Sequence, residues 1–162
     1  MTIELTMLAA DLLDWCKNHK LRLAVAESCT GGLICTVITE NAGSSDVFER
    51  GFITYSNPSK SEVLGVPAEL LRKHGAVSKE VAIAMAEGAR KTAKVDIALS
   101  VTGIAGPGGG SKEKPVGLVH LAASTRGRTL HAVHQYAGDR SAIRKQACAE
   151  ALKLGRCCLL PG

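Results

Sequence analysis

The chain has 162 residues, 20 of them basic and 15 acidic, giving a formal charge of +5, and its hydrophobic fraction is 46%. That length suits one domain with a real core, and the apolar-to-charged balance excludes intrinsic disorder. Trp15, Phe48, Phe52, Tyr55 and Tyr136 are its aromatics, too few for the stacking platforms of a single-strand nucleic-acid reader; the mild positive charge suits a small anionic ligand.

Leu5, Leu8, Ala9, Leu12, Leu13 and Cys16 recur at helical spacing and predict an amphipathic helix over residues 4–18. Glu4 and Asp11 within it, with no basic lead, do not read as a secretory signal. No apolar run approaches the roughly 18 residues needed to span a bilayer. Leu23 to Ala26 reads as a short buried strand, followed by the turn Glu27 to Gly32 and a helix from Leu33 to Thr39 that Asn41-Ala42-Gly43 stops. Val47 to Tyr55 is strand-like. Asn57 then reads as an N-cap and Pro58 as the first residue of a helix ending at Gly65. Pro67 starts another that ends near Gly75, and Ser78 caps a long helix to about Lys94. Ile97 to Val101 is a compact apolar strand that runs into Gly103, Gly106, Gly108, Gly109 and Gly110. Val116 to Ala123 and Leu130 to Tyr136 flank a hairpin turn at Arg126-Gly127-Arg128, and Gly138-Asp139 opens the last helix. Alternating strands and helices plus a hairpin predict an α/β class, a single three-layer α/β/α domain with a mixed sheet over residues 1–162.

The six cysteines form no C-x-x-C pair, and no histidine pair has finger-like spacing, so neither a structural metal nor a cofactor is expected. The thiols read as reduced and the protein as cytoplasmic. His120, His131 and His134 fall on the predicted hairpin, without a carboxylate or cysteine framework for a metal.

Three segments offer chemistry. In Glu27 to Gly32, a strand feeds a helix start, whose unpaired N–H groups bind an anion or oxyanion beside Ser28; the bland alternative makes Ser28 or Thr30 a simple cap. In Tyr55 to Lys60, a lysine in a helix's first turn faces an unfavourable dipole, which lowers its pKa if it is also desolvated; otherwise it is a surface lysine beside a core tyrosine. In Thr102 to Gly110, the glycines expose N–H groups as an anion nest, or merely mark a flexible loop. Ser111 and Lys114 match the S-x-x-K spacing by letter, but the flanking glycines and Pro115 speak against the helix that motif needs.

Together these segments resemble the C-terminal domain of the competence/damage-inducible protein CinA, a family whose stand-alone members are nicotinamide-nucleotide amidases. The resemblance rests on Ala26-Glu27-Ser28-Cys29-Thr30-Gly31-Gly32, on Phe48 to Asn57 with Lys60, on Leu64-Gly65-Val66 and Gly75-Ala76-Val77-Ser78. It continues through Ser100 to Pro107, Lys114-Pro115-Val116-Gly117 and Gly138-Asp139-Arg140. It implies hydrolysis of the carboxamide of nicotinamide mononucleotide without a metal, in pyridine nucleotide recycling. It implies Ser28 as nucleophile, Tyr55 with Lys60 as the activating pair, and Thr102 as a stabilising hydroxyl. Thr30, Gly31, Gly103, Gly106, Arg140 and Arg144 are the implied substrate-binding positions, with the two arginines as phosphate ligands. It further implies a homodimer or larger homo-oligomer with no nucleic-acid or membrane partner, and the absence of the extra N-terminal domain of larger members. Two rival readings fit the same residues: Cys29 as the nucleophile, activated as a thiolate at a helix start, and a non-catalytic nucleotide-binding or regulatory module.

Overall fold

The computed structural model describes residues 2–161. Six helices and five strands follow in the order α1 (Ile3–Asn18), β1 (Leu23–Glu27), α2 (Leu33–Thr39), β2 (Phe48–Ile53), α3 (Asn57–Leu64), α4 (Ala68–His74), α5 (Lys79–Ala93), β3 (Ile97–Gly103), β4 (Leu118–Thr125), β5 (Thr129–Gln135) and α6 (Arg140–Cys158). One five-stranded sheet has the order β2-β1-β3-β4-β5. β1 is parallel to both β2 and β3, whereas β3, β4 and β5 are successively antiparallel. The sheet is therefore mixed, as the alternation of elements predicts.

The period-2 alternation of β1 and β3 divides the core. Leu23, Val25, Leu99 and Val101 face a cluster with Leu12 of α1, Ile34 of α2 and Ile143 of α6. Ala24, Ala26 and Ala98 face Val81, Met85 and Ala89 of α5, with Leu64 of α3 in the same cluster. Helices thus cover both faces, giving the three layers. Small alanines on the α5 side let that helix approach the sheet closely. Among the described residues, no helix is long and apolar enough to cross a membrane.

Several local expectations shift. Ser56, not Asn57, caps α3: its Oγ accepts from Ser59 N at 3.3 Å, and Asn57 becomes the first helical residue. Pro67 sits outside α4 as its N-cap. β2 stops at Ile53, and the carbonyls of Thr54 and Tyr55 turn to a lysine instead of a strand. β4 begins at Leu118 because Gly117, at φ +95°, completes a turn in which Leu118 N donates to Pro115 O. The expected cap at Ser78 forms, and α6 opens after Gly138-Asp139 as expected, with Asp139 Oδ1 accepting from Ala142 N at 2.8 Å. At the other end of α6, Arg128 donates to the carbonyls of Cys157, Cys158 and Leu160 at 3.0, 3.0 and 2.7 Å. All six cysteines are free thiols.

Candidate active site

The C-terminal end of β1 builds the site. Glu27 is fully buried, and its side chain turns toward α2. Its Oε1 accepts from Thr30 Oγ1 at 2.6 Å, Gly32 N at 3.2 Å and Ile34 N at 3.0 Å, while Oε2 accepts from Cys35 N at 2.9 Å. The expectation of free N–H groups at the start of α2 is therefore corrected: Glu27 already occupies that helix end. Thr30 is corrected as well, because its hydroxyl is buried against Glu27 instead of facing a ligand. Gly31, in the left-handed region at φ +57°, donates its N–H to Ser28 O.

Ser28 follows Glu27. Its N–H donates to Val101 O of β3 at 3.1 Å, and its Oγ lies 3.0 Å from Lys60 Nζ. Lys60 stands in the first turn of α3 and is only 1% exposed. Its Nζ also reaches Thr54 O at 2.9 Å and Tyr55 O at 3.1 Å. Burial holds this amine below its ordinary pKa, with the Cys29 sulfur nearby acting in the opposite sense. The three partners define what the lysine can do. A neutral amine has two N–H groups, which the two carbonyls accept, and one lone pair, which then points at the Ser28 hydroxyl. A desolvated lysine is thus set against a serine, an arrangement in which the neutral amine can accept a proton.

A cleft of about 190 Å³ opens onto this pair, its walls including Tyr55, Asn57, Val77, Thr102, Gly103 and Arg140. Thr102 Oγ1 donates to Ala76 O at 2.9 Å, which leaves its lone pairs as acceptors. Tyr55 is 59% exposed. Its phenol accepts from Arg140 Nη2 at 3.0 Å, and its contact with Lys60 runs through the backbone carbonyl. Arg140 Nη1 also donates to Gly106 O at 2.6 Å. Both its acceptors are neutral, and Arg140 makes no ion pair among the described residues.

Of the remaining sequence-derived positions, Arg144 and Gly106 stand outside the cleft wall, whereas Gly103 and Cys29 line it. Arg144 donates to Thr30 O at 2.7 Å and braces the turn. Gly103 packs on β4, where a Cβ would lie 2.7 Å from Val119 Cγ2. Gly106, at φ +79°, presents its carbonyl to Arg140, and a Cβ there would lie 2.4 Å from Val116 Cγ1. The Cys29 thiol is pushed up to about 11, mainly by burial, which opposes a thiolate at neutral pH. Ser111 and Lys114 lie in a turn, with Lys114 N donating to Ser111 Oγ. His120 Nδ1 and His131 Nε2 do meet across the hairpin at 2.9 Å, while His134 stacks on Tyr136. Among the described residues no group of three His, Cys, Asp or Glu could hold a metal.

The molecule is thus a three-layer α/β fold with a buried serine–lysine pair at a strand end, opening on a cleft rimmed by an arginine. Residues 5–159 match the CinA C-terminal domain family, and the chain belongs to it. It is 50% identical over 151 residues to the Escherichia coli K12 nicotinamide-nucleotide amidohydrolase PncC, covering 93% of this chain and 92% of that protein. It is 52% identical over 139 residues to a putative competence-damage inducible protein of Caldicellulosiruptor bescii, but spans only 34% of that protein's length. The crystal structure of the competence/damage inducible protein CihA from Agrobacterium tumefaciens superposes with a TM-score of 0.91 at 46% identity, covering 94% of this chain and 96% of that one. A CinA superfamily protein from Escherichia coli gives 0.89 at 33% identity, over 93% and 87% of the two chains.

Proposed function

We propose that the protein is an amidohydrolase that converts nicotinamide mononucleotide and water to nicotinate mononucleotide and ammonia. The observation that carries this reading is the buried Ser28–Lys60 pair at 3.0 Å. The 50% identity to a nicotinamide-nucleotide amidohydrolase along nearly the whole of both chains supports it.

The chemistry follows from the partners. Serine at its free pKa is a weak nucleophile and needs a base within hydrogen-bond reach. Neutral Lys60 takes the Ser28 proton as Oγ bonds to the carboxamide carbon. The resulting ammonium then protonates the departing nitrogen, which leaves as ammonia; the neutral amine next takes a proton from the water that attacks the acyl ester and returns it to Ser28 Oγ as the ester C–O bond breaks, releasing the acid. Thr102, with its proton donated to Ala76 O, accepts a hydrogen bond from the substrate amide. Arg140 binds the phosphate as a charge-assisted donor. The activating role falls on Lys60, while the Tyr55 phenol holds Arg140 in place.

A binding module gains nothing from desolvating a lysine against a serine, which weighs against the non-catalytic alternative. The test is ammonia release from nicotinamide mononucleotide by the purified protein, with and without a chelator. Release is expected to be insensitive to the chelator and to fall at least about a thousandfold in Ser28→Ala, in line with loss of a covalent nucleophile. No release by the correctly folded wild type would sink the reading.

A further inference from the structure

We propose that Glu27 is a positioning residue for the reaction: its buried carboxylate fixes the turn that aims Ser28 at Lys60. This role rests on Ser28 being the nucleophile.

The N-cap position of α2 is Gly32, which lies in the left-handed region at φ +104° and provides no side-chain cap. The cap comes instead from five residues upstream. The four donors on Glu27 come from positions 30, 32, 34 and 35, so one carboxylate binds the turn and the first turn of α2 into a single unit. Ser28 lies between Glu27 and these donors, and Arg144 clamps the same turn by donating to Thr30 O. Backbone anchors hold it on either side: its N–H bonds to Val101 O, and its own carbonyl accepts from Gly31 N. Two side chains adjacent on an extended chain point to opposite faces. With Glu27 locked toward α2, the Ser28 hydroxyl is directed to the α3 side, where Lys60 Nζ waits at 3.0 Å.

The contacts also make the carboxylate irreplaceable by a close isostere. All four partners are donors, so Glu27 serves only as an acceptor. In Glu27→Gln the amide NH₂ faces either Cys35 N–H or the three donors on the other oxygen. Either orientation sets donor against donor, and the turn must shift. A displacement of about 1 Å in a reacting group can cost on the order of a hundredfold in rate.

The experiment measures the reaction of Ser28 with a small fluorophosphonate, which needs no nucleotide site. Oγ bonds to phosphorus, fluoride leaves, and Lys60 takes the proton. In folded Glu27→Gln, labelling and kcat are each expected to fall at least about tenfold with KM within about threefold. A capping role confined to stability would lower the melting temperature and leave the labelling rate per folded molecule unchanged; that result overturns the proposal. If Glu27→Gln does not fold, Thr30→Val removes one donor while keeping the carboxylate, and labelling is expected to slow about fivefold, the weight of one hydrogen bond. Unchanged labelling in folded Thr30→Val overturns it in that case. Wild type that releases no ammonia but is labelled at Ser28 in a Glu27-dependent way removes the substrate assignment and leaves this role standing.

Discussion

Replacing Lys60 by methionine keeps a long side chain in the pocket and deletes the one atom that touches Ser28 Oγ, Thr54 O and Tyr55 O. General-base catalysis contributes about 10²–10⁴-fold, so the barrier should rise by about 3–5 kcal/mol. KM should change little, because Nζ faces the serine and two backbone carbonyls. The two carbonyls lose a partner, at about 1–3 kcal/mol each, and removal of a buried amine offsets part of that cost. Cooperative thermal unfolding checks that the variant is folded. Lys60→Arg supplies the second arm: it keeps a cation but does not give up a proton near neutrality, so it should be equally inactive. In the wild type the amine must be neutral to act. Rate therefore rises with pH through the Lys60 ionisation, and burial places that rise below the ordinary lysine value of about 10.4. Steady-state ammonia release across pH reads all three. Lys60→Met retaining more than about a tenth of kcat, with Ser28→Ala inactive, would refute the assignment of Lys60 as the base.

Three other outcomes are expected. Tyr55→Phe removes the phenol that Arg140 holds but not the carbonyl that Lys60 touches; KM should rise about fivefold, the weight of one hydrogen bond, with kcat nearly unchanged in the same assay. Gly106→Ala sets a Cβ 2.4 Å from Val116 Cγ1 on a backbone at φ +79°, so denaturant unfolding should show a loss of about 1–3 kcal/mol. Adding Val116→Ala should restore only part of that loss, since the backbone strain stays. His120 is pushed down to about 4 by burial, then by His131 and Lys114. The unfolded chain, with histidine near 6.5, binds protons that the native state refuses between those values. Stability should therefore fall as pH drops from about 6.5 toward 4, and melting temperatures of His120→Gln should show a shallower decline.

The elements were largely legible because each carries its own period. The i, i+3, i+4 spacing from Leu5 to Cys16 and the apolar run Ile97 to Val101 need no tertiary knowledge. Their ends were less legible. Ser56 and Asn57 are both good caps, and residue type alone does not choose between them; the structure uses Ser56. At the site, Ser28 and Lys60 could be singled out by residue type and by resemblance, but their contact spans 32 positions and no local pattern encodes it. Glu27 is the position that residue-by-residue reading passes over. A glutamate ending an apolar strand suggests the surface, and only the missing side-chain cap at Gly32 hinted that a distant carboxylate would serve α2. The orientation of Thr102 and of the Tyr55 phenol depends on Ala76 and Arg140, which come from other segments of the chain.

α6 is gripped at both ends, by Arg128 at its last carbonyls and through Arg140 at the rim of the cleft. Its 19 residues make a strut about 28 Å long. Losing one residue from its middle would shorten it by about 1.5 Å and rotate Arg140 by about 100° relative to the fixed end, out of register with both Gly106 and Tyr55. Inserting four would return the facing to within about 40° but overshoot by about 6 Å. The helix thus acts as a gauge block between the β4–β5 turn and the rim of the cleft.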